Sequence, residues 1–423
     1  SLRTIAPDSR AMDSFLAVNG VTDTAKVHPD TVLDGGTARL LWCHRNVASI
    51  WKRSLAHQGL SELAVAEKDP LLGRTFGGCI AGDGLTRQSP TRLGSRAPQT
   101  ECRIAMVTHT AAPCDAARWE PDCAAALEAA CAGSRAGQWQ AHAAWWHARF
   151  ADHYISITGD AAAPKVSQGY ALHRFMLLAS GRGAYPIKFN GSLFTVDSRE
   201  PAEVFDADYR RWGGAYWFQN TRLAYWPMLM AGDDDCLKPL FDMYWNLLPM
   251  ALERTRIWYG HGGAFFPETL TFWGTYRFRD YGYVRNDAPA GEVLNKYIGR
   301  YWDGGLELLA MHIDAHAFRP SDPFWAGRIL PLARAVLAFY EEHYPIRDGY
   351  GHLHVAPSQA CETWQKATNP TPVIAGLRWC LEQLLSDAAP GIPDEDRARW
   401  SAFLAIVPPV PTRCIPHTRR GTI

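Results

Sequence analysis

The stretch from Trp212 to Gly274 constrains the fold most, because one amphipathic helix separates its two strongly aromatic segments. Apolar residues recur in it at Leu237, Leu240, Phe241, Tyr244, Leu247, Leu248 and Ala251. Spacings of i, i+3, i+4 and i+7 predict a helix with one buried face. The acidic run Asp233–Asp235 precedes this helix and suits its positive end, and Pro249 predicts a bend within it.

The flanking segments, residues 212–227 and 260–274, are dense in Trp, Phe and Gly. Exposed aromatic surface is unfavourable unless it packs against the protein or binds a ligand. Long ordered loops on a helical scaffold are usually functional. We therefore expect both segments to line a cavity.

The composition narrows the class of ligand. The 423 residues include 43 basic and 43 acidic side chains, so the net charge gives no sign of nucleic acid or an anionic membrane as a partner. A neutral ligand is expected. No apolar run reaches the roughly 18–20 residues that span a bilayer. The sequence starts at Ser1 without Met, which fits a fragment or a processed form, and it leaves localisation and oligomeric state open.

Motifs for metals and cofactors are missing from the sequence. The ten cysteines include no Cys-x-x-Cys pair, and reduced thiols are expected in a chain of this length. His261 has no second His at ligand spacing. The sequence also lacks the Gly-rich phosphate and dinucleotide motifs and the Gly-x-Ser-x-Gly elbow. We expect neither a metal nor a cofactor.

Sequence patterning divides the chain into four parts. Residues 1–135 show short apolar runs punctuated by Gly, Pro and Ser, which predict a β-rich N-terminal domain, complete or partial. Residues 136–160 carry Trp and other rings on one helical stripe and predict a linker helix whose rings pack. Residues 161–411 are mainly helical by periodicity, and residues 412–423 form a tail.

Helical periodicity dominates the third part. Besides the central helix, it predicts helices over residues 166–180, 222–230, 296–316, 328–344, 372–385 and from Asp394 onward. Thr371 before Pro372 has the form of an N-cap followed by proline at the first helical position. Long Gly-rich loops alternate with these helices, as the rim loops of a helical toroid would.

Glu268 is the first candidate for acid–base chemistry. It follows Phe265, Phe266 and Pro267 and precedes Phe272 and Trp273. Such surroundings remove water from a carboxyl group and raise its pKa, which suits a general acid near neutral pH. The alternative is a carboxylate that caps the next turn.

Glycoside hydrolysis requires a second carboxylate across the sugar. Candidates in loops or at helix starts are Glu362, Asp280, Asp303 and Glu307. Glu362 is preferred because it lies in a polar and aromatic loop before a helix. Asp303 and Glu307, four residues apart on one predicted helix, also fit a structural pair.

Sugar-binding candidates combine flat rings with amide and guanidinium donors, because sugar C–H faces stack on rings while hydroxyl groups accept hydrogen bonds. The candidates are Asn220, Arg222, Trp217, Trp226, Trp273, Asn190, His261 and Glu307. The alternative for each cluster is loop packing around a satisfied buried amide.

The run Asn220–Pro227, together with Pro267-Glu268, resembles the catalytic core of the glycoside hydrolase family 95 α-L-fucosidases and, more closely, bacterial relatives of that family. The resemblance covers residues 138–411. It implies a mainly α fold, an (α/α)6 toroid after an N-terminal β-sandwich, and hydrolysis by inversion with Glu268 as acid. Phe218 replaces the first Asn of the family pattern.

The resemblance fails at the family's catalytic base. Residues 368–373, where the base is expected, contain no carboxylate. Either Glu362 acts as base, with its carboxyl about 6.5–9.5 Å from that of Glu268, or the geometry differs. An inverting glycoside hydrolase acting on an oligosaccharide or polysaccharide is the leading function. A binding module without catalysis, or a lyase or epimerase using His261 or Tyr281, is the alternative, and the sugar is left open.

Overall fold

The computed structural model describes residues 29–66, 68–151, 153–188, 215–386 and 391–412. Within these ranges the chain divides into two units, the first ending at Met176 and the second starting at Leu177. The described chain is mainly helical, and its larger sheet lies in the N-terminal part. No helix in these ranges is both long enough and apolar enough to cross a bilayer.

The first unit contains an antiparallel sheet of four strands in the order β1-β2-β3-β6 and a separate hairpin, β4-β5. The strands are β1 (Thr31–Leu33), β2 (Arg39–Arg45), β3 (Thr75–Gly82), β4 (Leu85–Ser89), β5 (Arg92–Ser95) and β6 (Ile104–Ala111). Cys43 pairs with Gly77 and Cys79 pairs with Val107 in this register. A small sheet therefore occupies the region where β structure was expected.

One helix covers this sheet. The helices of the first unit are α1 (Trp51–His57), α2 (Leu63–Ala66), α3 (Ala116–Cys131) and α4 (Arg135–Ala151). The Asp115 carboxylate caps α3 by accepting from the Arg118 N–H at 2.9 Å. Trp119 and Leu127 of α3 join Leu41 of β2 in the core. None of the described cysteines forms a disulfide, and burial raises the pKa of the Cys43 thiol to about 11.

The aromatic stripe predicted over residues 136–160 lies on α4, which is mostly exposed. The helix has no buried residue, and Trp139 is 67% exposed. Trp146 lies edge-on to Trp145 at 4.8 Å and contacts Phe175 of the next helix, α5 (Ala163–Ser180), at 4.9 Å between ring centroids. The rings thus pack largely on one another.

The second unit is built from helices with short strands between them. Its helices are α6 (Phe218–Ala231), α7 (Asp234–Asn246), α8 (Leu248–Tyr259), α9 (Phe278–Tyr281), α10 (Gly304–Phe318), α11 (Pro323–His343), α12 (Thr371–Leu385) and α13 (Asp394–Ile406). Its strands are β7 (Tyr216–Trp217), β8 (Thr269–Leu270), β9 (Ser358–Ala360) and β10 (Trp364–Ala367). Helix α10 packs against α6, α11 and α12, so it lies at the centre of this unit.

Several predicted helices begin or end at other residues, among them the central helix and the helices predicted from residues 296 and 372. The central helix is two helices, α7 and α8, which meet at Leu247, and Pro249 lies in the first turn of α8, where a missing N–H costs little. The segment predicted from residue 296 becomes helical only at Gly304, because the Asn295 side chain accepts from the Tyr297 N–H at 3.1 Å and forms a turn. Thr371 is the first residue of α12 and Pro370 is its N-cap.

Candidate active site

Glu268 lies at the junction of a two-stranded ladder and a helix start. Strand β8 begins directly after it and pairs with β7, so Thr269 faces Trp217. The Glu268 backbone carbonyl accepts from the Phe218 N–H at 3.1 Å, and its Oε1 accepts from the Gln219 N–H at 2.8 Å. The side chain is only 2% exposed. The first turn of α6 thereby fixes the carboxyl group, whose Oε2 has no hydrogen-bond partner in the described part of the chain.

The surroundings of Glu268 favour its protonated form. Burial is the largest effect and raises the pKa of this carboxyl well above its ordinary value. The charges of Asp303 and Glu362 raise the pKa further, while the Gln219 N–H and the Arg222 guanidinium lower it. A carboxyl group that keeps its proton near neutral pH can donate it to a leaving oxygen.

A buried arginine holds both ends of the loop that carries Glu268. Arg254 of α8 donates from Nη1 to the Gly274 carbonyl at 2.5 Å and from Nη2 to the Phe265 carbonyl at 2.8 Å. Burial lowers the pKa of Arg254 to about 10. Its guanidinium also lies 4.7 Å from the centroid of the Phe265 ring. This arginine therefore fixes the loop from α8.

The same loop lies directly against α11. Gly263 has a φ of +83°, and a Cβ there would stand 2.1 Å from the Phe339 nitrogen. The Ala264 N–H donates to the Ala335 carbonyl at 2.8 Å. Only glycine permits this approach at this backbone conformation, which explains the glycines that precede the aromatic run.

Glu307 links α10 to α6. Its Oε1 accepts from the Trp226 indole N–H at 2.6 Å, and its Oε2 pairs with Nη1 of Arg222. The Nε of Arg222 donates to the Gln219 carbonyl at 3.0 Å. Both oxygens of Glu307 are thus occupied, so this carboxylate orients Arg222 and Trp226. The structural interpretation of Glu307 as one member of a pair is supported, although its partner is Arg222 and not Asp303.

Asp303 stands at the N-cap of α10 close to Glu268. Gly304 lies so near α6 that a Cβ on it would be 2.9 Å from Cδ1 of Phe218, and this contact brings the starts of the two helices together. The Asp303 side chain is half-buried and accepts from the backbone N–H groups of Asp303 and Gly304, and no ion pair holds it within the described residues. Burial, followed by the Glu307 charge, raises its pKa to about 7 against the opposing effect of Arg222.

Glu362 occupies the turn between β9 and β10 and is exposed. Gln359, which is buried, holds this hairpin, because its Oε1 accepts from the Arg300 N–H at 3.0 Å and its Nε2 donates to the Cys361 carbonyl at 2.9 Å. The Gln219 amide reaches the Cys361 sulfur at 3.3 Å. Glu362 therefore lies near Glu268, and the expected separation of the two carboxyl groups stays a prediction.

The predicted sugar-binding residues are placed unequally. Trp217 and Trp226 are half-buried beside the acid and Glu307. Trp273 is half-buried, and its indole N–H, although buried, has no hydrogen-bond partner among the described residues. Asn220 is half-buried too, and no side-chain hydrogen bond of its amide is found within the described ranges. Asn190 lies outside the described residues.

His261 belongs to a different cluster. Its Nε2 is 2.8 Å from Nδ1 of His343, and its Nδ1 is 2.7 Å from the Gly262 carbonyl. Both ring nitrogens therefore have partners near the end of α11. Tyr281, the other base considered for a lyase, donates its hydroxyl to the Ala290 carbonyl at 2.8 Å.

Asp280 also has a structural environment. It is buried and accepts from the Asn295 amide at 3.1 Å, which ties the loop after α9 to this helix. Within the described ranges, no group of three or more His, Cys, Asp or Glu side chains could hold a metal ion. Of the four carboxylates proposed as the second catalytic group, Asp303 and Glu362 act electrostatically on Glu268, and within the described residues neither is held by another side chain.

The comparisons with known proteins bear on the fold. Residues 5–155 match a family described as "Domain of unknown function (DUF5703)". No curated protein matches the chain. Among solved structures, the chain is similar to one named "Putative kojibiose phosphorylase from human microbiome", with a TM-score of 0.54 and 12% identity over 79% of this chain and 45% of the other. The chain thus spans less than half of that protein. At this identity the likeness shows a shared, mainly helical fold. It does not show that the chain belongs to glycoside hydrolase family 95.

Proposed function

We propose that the chain cleaves glycosidic bonds by hydrolysis with inversion and that Glu268 is the general acid. The observation that carries this proposal is the buried Glu268 carboxyl, which is hydrogen-bonded at Oε1 and unpartnered at Oε2 within the described chain. The resemblance around Asn220–Pro227 and the fold shared with a protein named a phosphorylase support it. An (α/α)6-type toroid over residues 161–411, following a β-rich N-terminal domain and a linker helix, is the architecture we propose.

The substrate class follows from the surface beside the acid. Trp217, Trp226 and Trp273 offer flat apolar faces, and Asn220 offers amide groups to sugar hydroxyls. The chain has equal numbers of acidic and basic residues, which favours a neutral oligosaccharide or polysaccharide. We propose stacking on at least one of these rings, and Trp273 is the first choice because it is half-buried and belongs to the loop that carries Glu268.

The reaction needs two proton transfers. Glu268 gives its proton to the glycosidic oxygen as the bond from that oxygen to the anomeric carbon breaks. A second carboxylate takes a proton from the water whose oxygen bonds to the anomeric carbon from the opposite face. Glu362 is the sequence-based choice for this second role, and Asp303 is the other carboxylate available.

Phosphorolysis is a second candidate, because the similar solved structure is named a phosphorylase. Phosphate would replace water as the attacking group. Two carboxylates, those of Asp303 and Glu362, act on Glu268, and the nearby Arg222 is already paired with Glu307. Their negative charge opposes the approach of a phosphate dianion, so hydrolysis is preferred. Cleavage that requires added phosphate and yields a sugar phosphate would reverse this preference.

A panel of aryl glycosides and neutral oligosaccharides tests the proposal, with proton NMR of the anomer first released. We expect Glu268→Gln to lower kcat at least about 100-fold on substrates with poor leaving groups, because general acid catalysis contributes about 10² to 10⁴. The loss should shrink when the leaving group needs no proton. Glu292→Gln is the matched control, since Glu292 is exposed in the same unit.

Other functions give different results in this panel. Sugar binding without turnover, unchanged by Glu268→Gln, would indicate a binding module. An unsaturated product that absorbs in the ultraviolet would indicate a lyase. Equal losses for good and poor leaving groups in Glu268→Gln would contradict the acid role.

A further inference from the structure

We infer that Asp303, and not Glu362, is the carboxylate that activates the attacking water. This inference rests on the proposed hydrolysis. It assigns the second catalytic role to a residue that precedes α10, whereas the family resemblance puts the base in the later loop before α12.

Packing between two helix starts places Asp303 at the acid. Gly304 lies against the Phe218 ring. The residue after Phe218 is Gln219, whose backbone N–H donates to the Glu268 carboxylate. One turn further along, Arg222 of α6 pairs with Glu307 of α10. Two contacts therefore fix the start of α10 on the start of α6, and both lie within one turn of Asp303.

The state of each carboxylate separates the candidates. Glu307 has both oxygens bound, by Arg222 and Trp226, and these charge-assisted bonds stabilise its ionised form and weaken it as a base. Glu362 is exposed on a hairpin turn, where bulk water competes for it. Asp303 is half-buried, and among the described residues its carboxylate is bound by backbone N–H groups, its own and that of Gly304, and by no ion pair.

The electrostatics agree with this geometry. Among charged side chains, Asp303 has the largest effect in raising the pKa of Glu268, ahead of Glu362. Burial and the Glu307 charge raise the pKa of Asp303 itself to about 7, and burial raises the pKa of Glu268 well above its ordinary value. Neighbouring carboxyl groups that do not both ionise can divide the acid and base roles between them. A base with a pKa near the working pH is also the most effective proton acceptor.

The proposed step is balanced. The water oxygen bonds to the anomeric carbon and one of its protons moves to the Asp303 carboxylate. The bond between the anomeric carbon and the leaving oxygen breaks, and that oxygen takes the Glu268 proton. Asp303 ends protonated and Glu268 ends ionised, and exchange with solvent restores both.

Two leaving groups distinguish the roles experimentally. Asp303→Asn and Glu362→Gln are compared with wild type on a glycosyl fluoride and on a natural oligosaccharide of the same sugar. The Asp303 side chain makes no capping hydrogen bond to α10, and Asn has nearly the same size, so Asp303→Asn should keep α10 folded. We expect it to lower kcat at least about 100-fold on both substrates, because loss of a base, unlike loss of the acid, is not relieved by a good leaving group.

Chemical rescue and pH dependence add readouts that a structural role would not change. Asp303→Ser leaves room for a small carboxylate. If the missing group is a proton acceptor, added formate should raise the kcat of this variant on the glycosyl fluoride at least about 10-fold. In the wild type, kcat/KM should fall as the pH drops below about 7. This acidic fall of kcat/KM should be absent in Asp303→Asn. Asp287→Asn, an exposed aspartate of the same unit, is the control.

The outcomes separate this inference from the proposed function. If Asp303→Asn retains more than about a tenth of the activity on both substrates while Glu362→Gln loses about 100-fold on both, Asp303 is not the base and hydrolysis stands. A loss in Asp303→Asn without formate rescue of Asp303→Ser and with an unchanged pH profile also overturns the inference. Absence of turnover by the wild type on the whole panel would refute both.

Discussion

Arg254 offers the sharpest test of how the acid-bearing loop is held. Its guanidinium donates to the carbonyls of Gly274 and Phe265, so one side chain joins the two ends of the loop around Glu268. Arg254→Met keeps most of the side-chain volume and removes both hydrogen bonds. The two carbonyls would then be left without this donor in a buried position.

The magnitude follows from those two bonds. Hydrogen bonds to a charged group contribute about 1.5–3 kcal/mol each, so their loss amounts to roughly 3–6 kcal/mol. Methionine also removes a buried charge, whose desolvation is unfavourable, and this offsets part of the loss. We expect a net destabilisation of about 2–4 kcal/mol, a large share of the roughly 5–15 kcal/mol that stabilises a typical domain.

Arg256→Met is the matched control, because Arg256 lies on the same helix in an exposed pair with Glu253. Such a pair contributes at most about 0.5 kcal/mol. Urea unfolding gives the free energies, and hydrogen exchange of the amides from Phe265 to Gly274 shows whether the loop opens. If the free energy of unfolding of Arg254→Met lies within about 0.5 kcal/mol of that of the control, Arg254 does not hold the loop. Unchanged hydrogen exchange in the loop would lead to the same conclusion.

Two further changes test the surroundings of the site. Trp273→Ala should raise KM at least about 5-fold with little change in Tm, because a stacking face for the sugar is lost. The control is Trp245→Ala, which should lower Tm and leave KM unchanged, because the Trp245 ring packs on Arg328. A lower Tm with an unchanged KM in Trp273→Ala would show that Trp273 is structural. Burial, His261 and Arg300 lower the pKa of His343 from 6.5 to about 4, so the folded state prefers the neutral ring and its stability should fall as pH drops from 6.5 towards 4. His343→Phe should flatten that part of the curve of Tm against pH, and an unchanged curve would show that His343 is not responsible.

The sequence predicted features that depend on near neighbours. The aromatic residues on both sides of Glu268 predicted a carboxyl group short of water, and in the fold that side chain is buried with a raised pKa. The helix from Thr371 to Leu385 was predictable because its apolar spacing and its proline both act over a few residues. The prediction of one helix bent at Pro249 was wrong, because a proline can either bend a helix or stand in the first turn of a new one, as it does here.

Tertiary structure alone decided which carboxylates stand at the acid. Arg222 and Glu307 are 85 residues apart, and nothing local to either predicts that they pair. This pairing argues against Glu307 as the base and leaves Asp303 and Glu362, of which the sequence ranked Glu362 first. Likewise, His261 adjoins the same glycine-rich loop in sequence but bonds to His343, 82 residues away. Local patterns act over one or two turns of chain, whereas the charge and burial of a site depend on residues that only folding brings together.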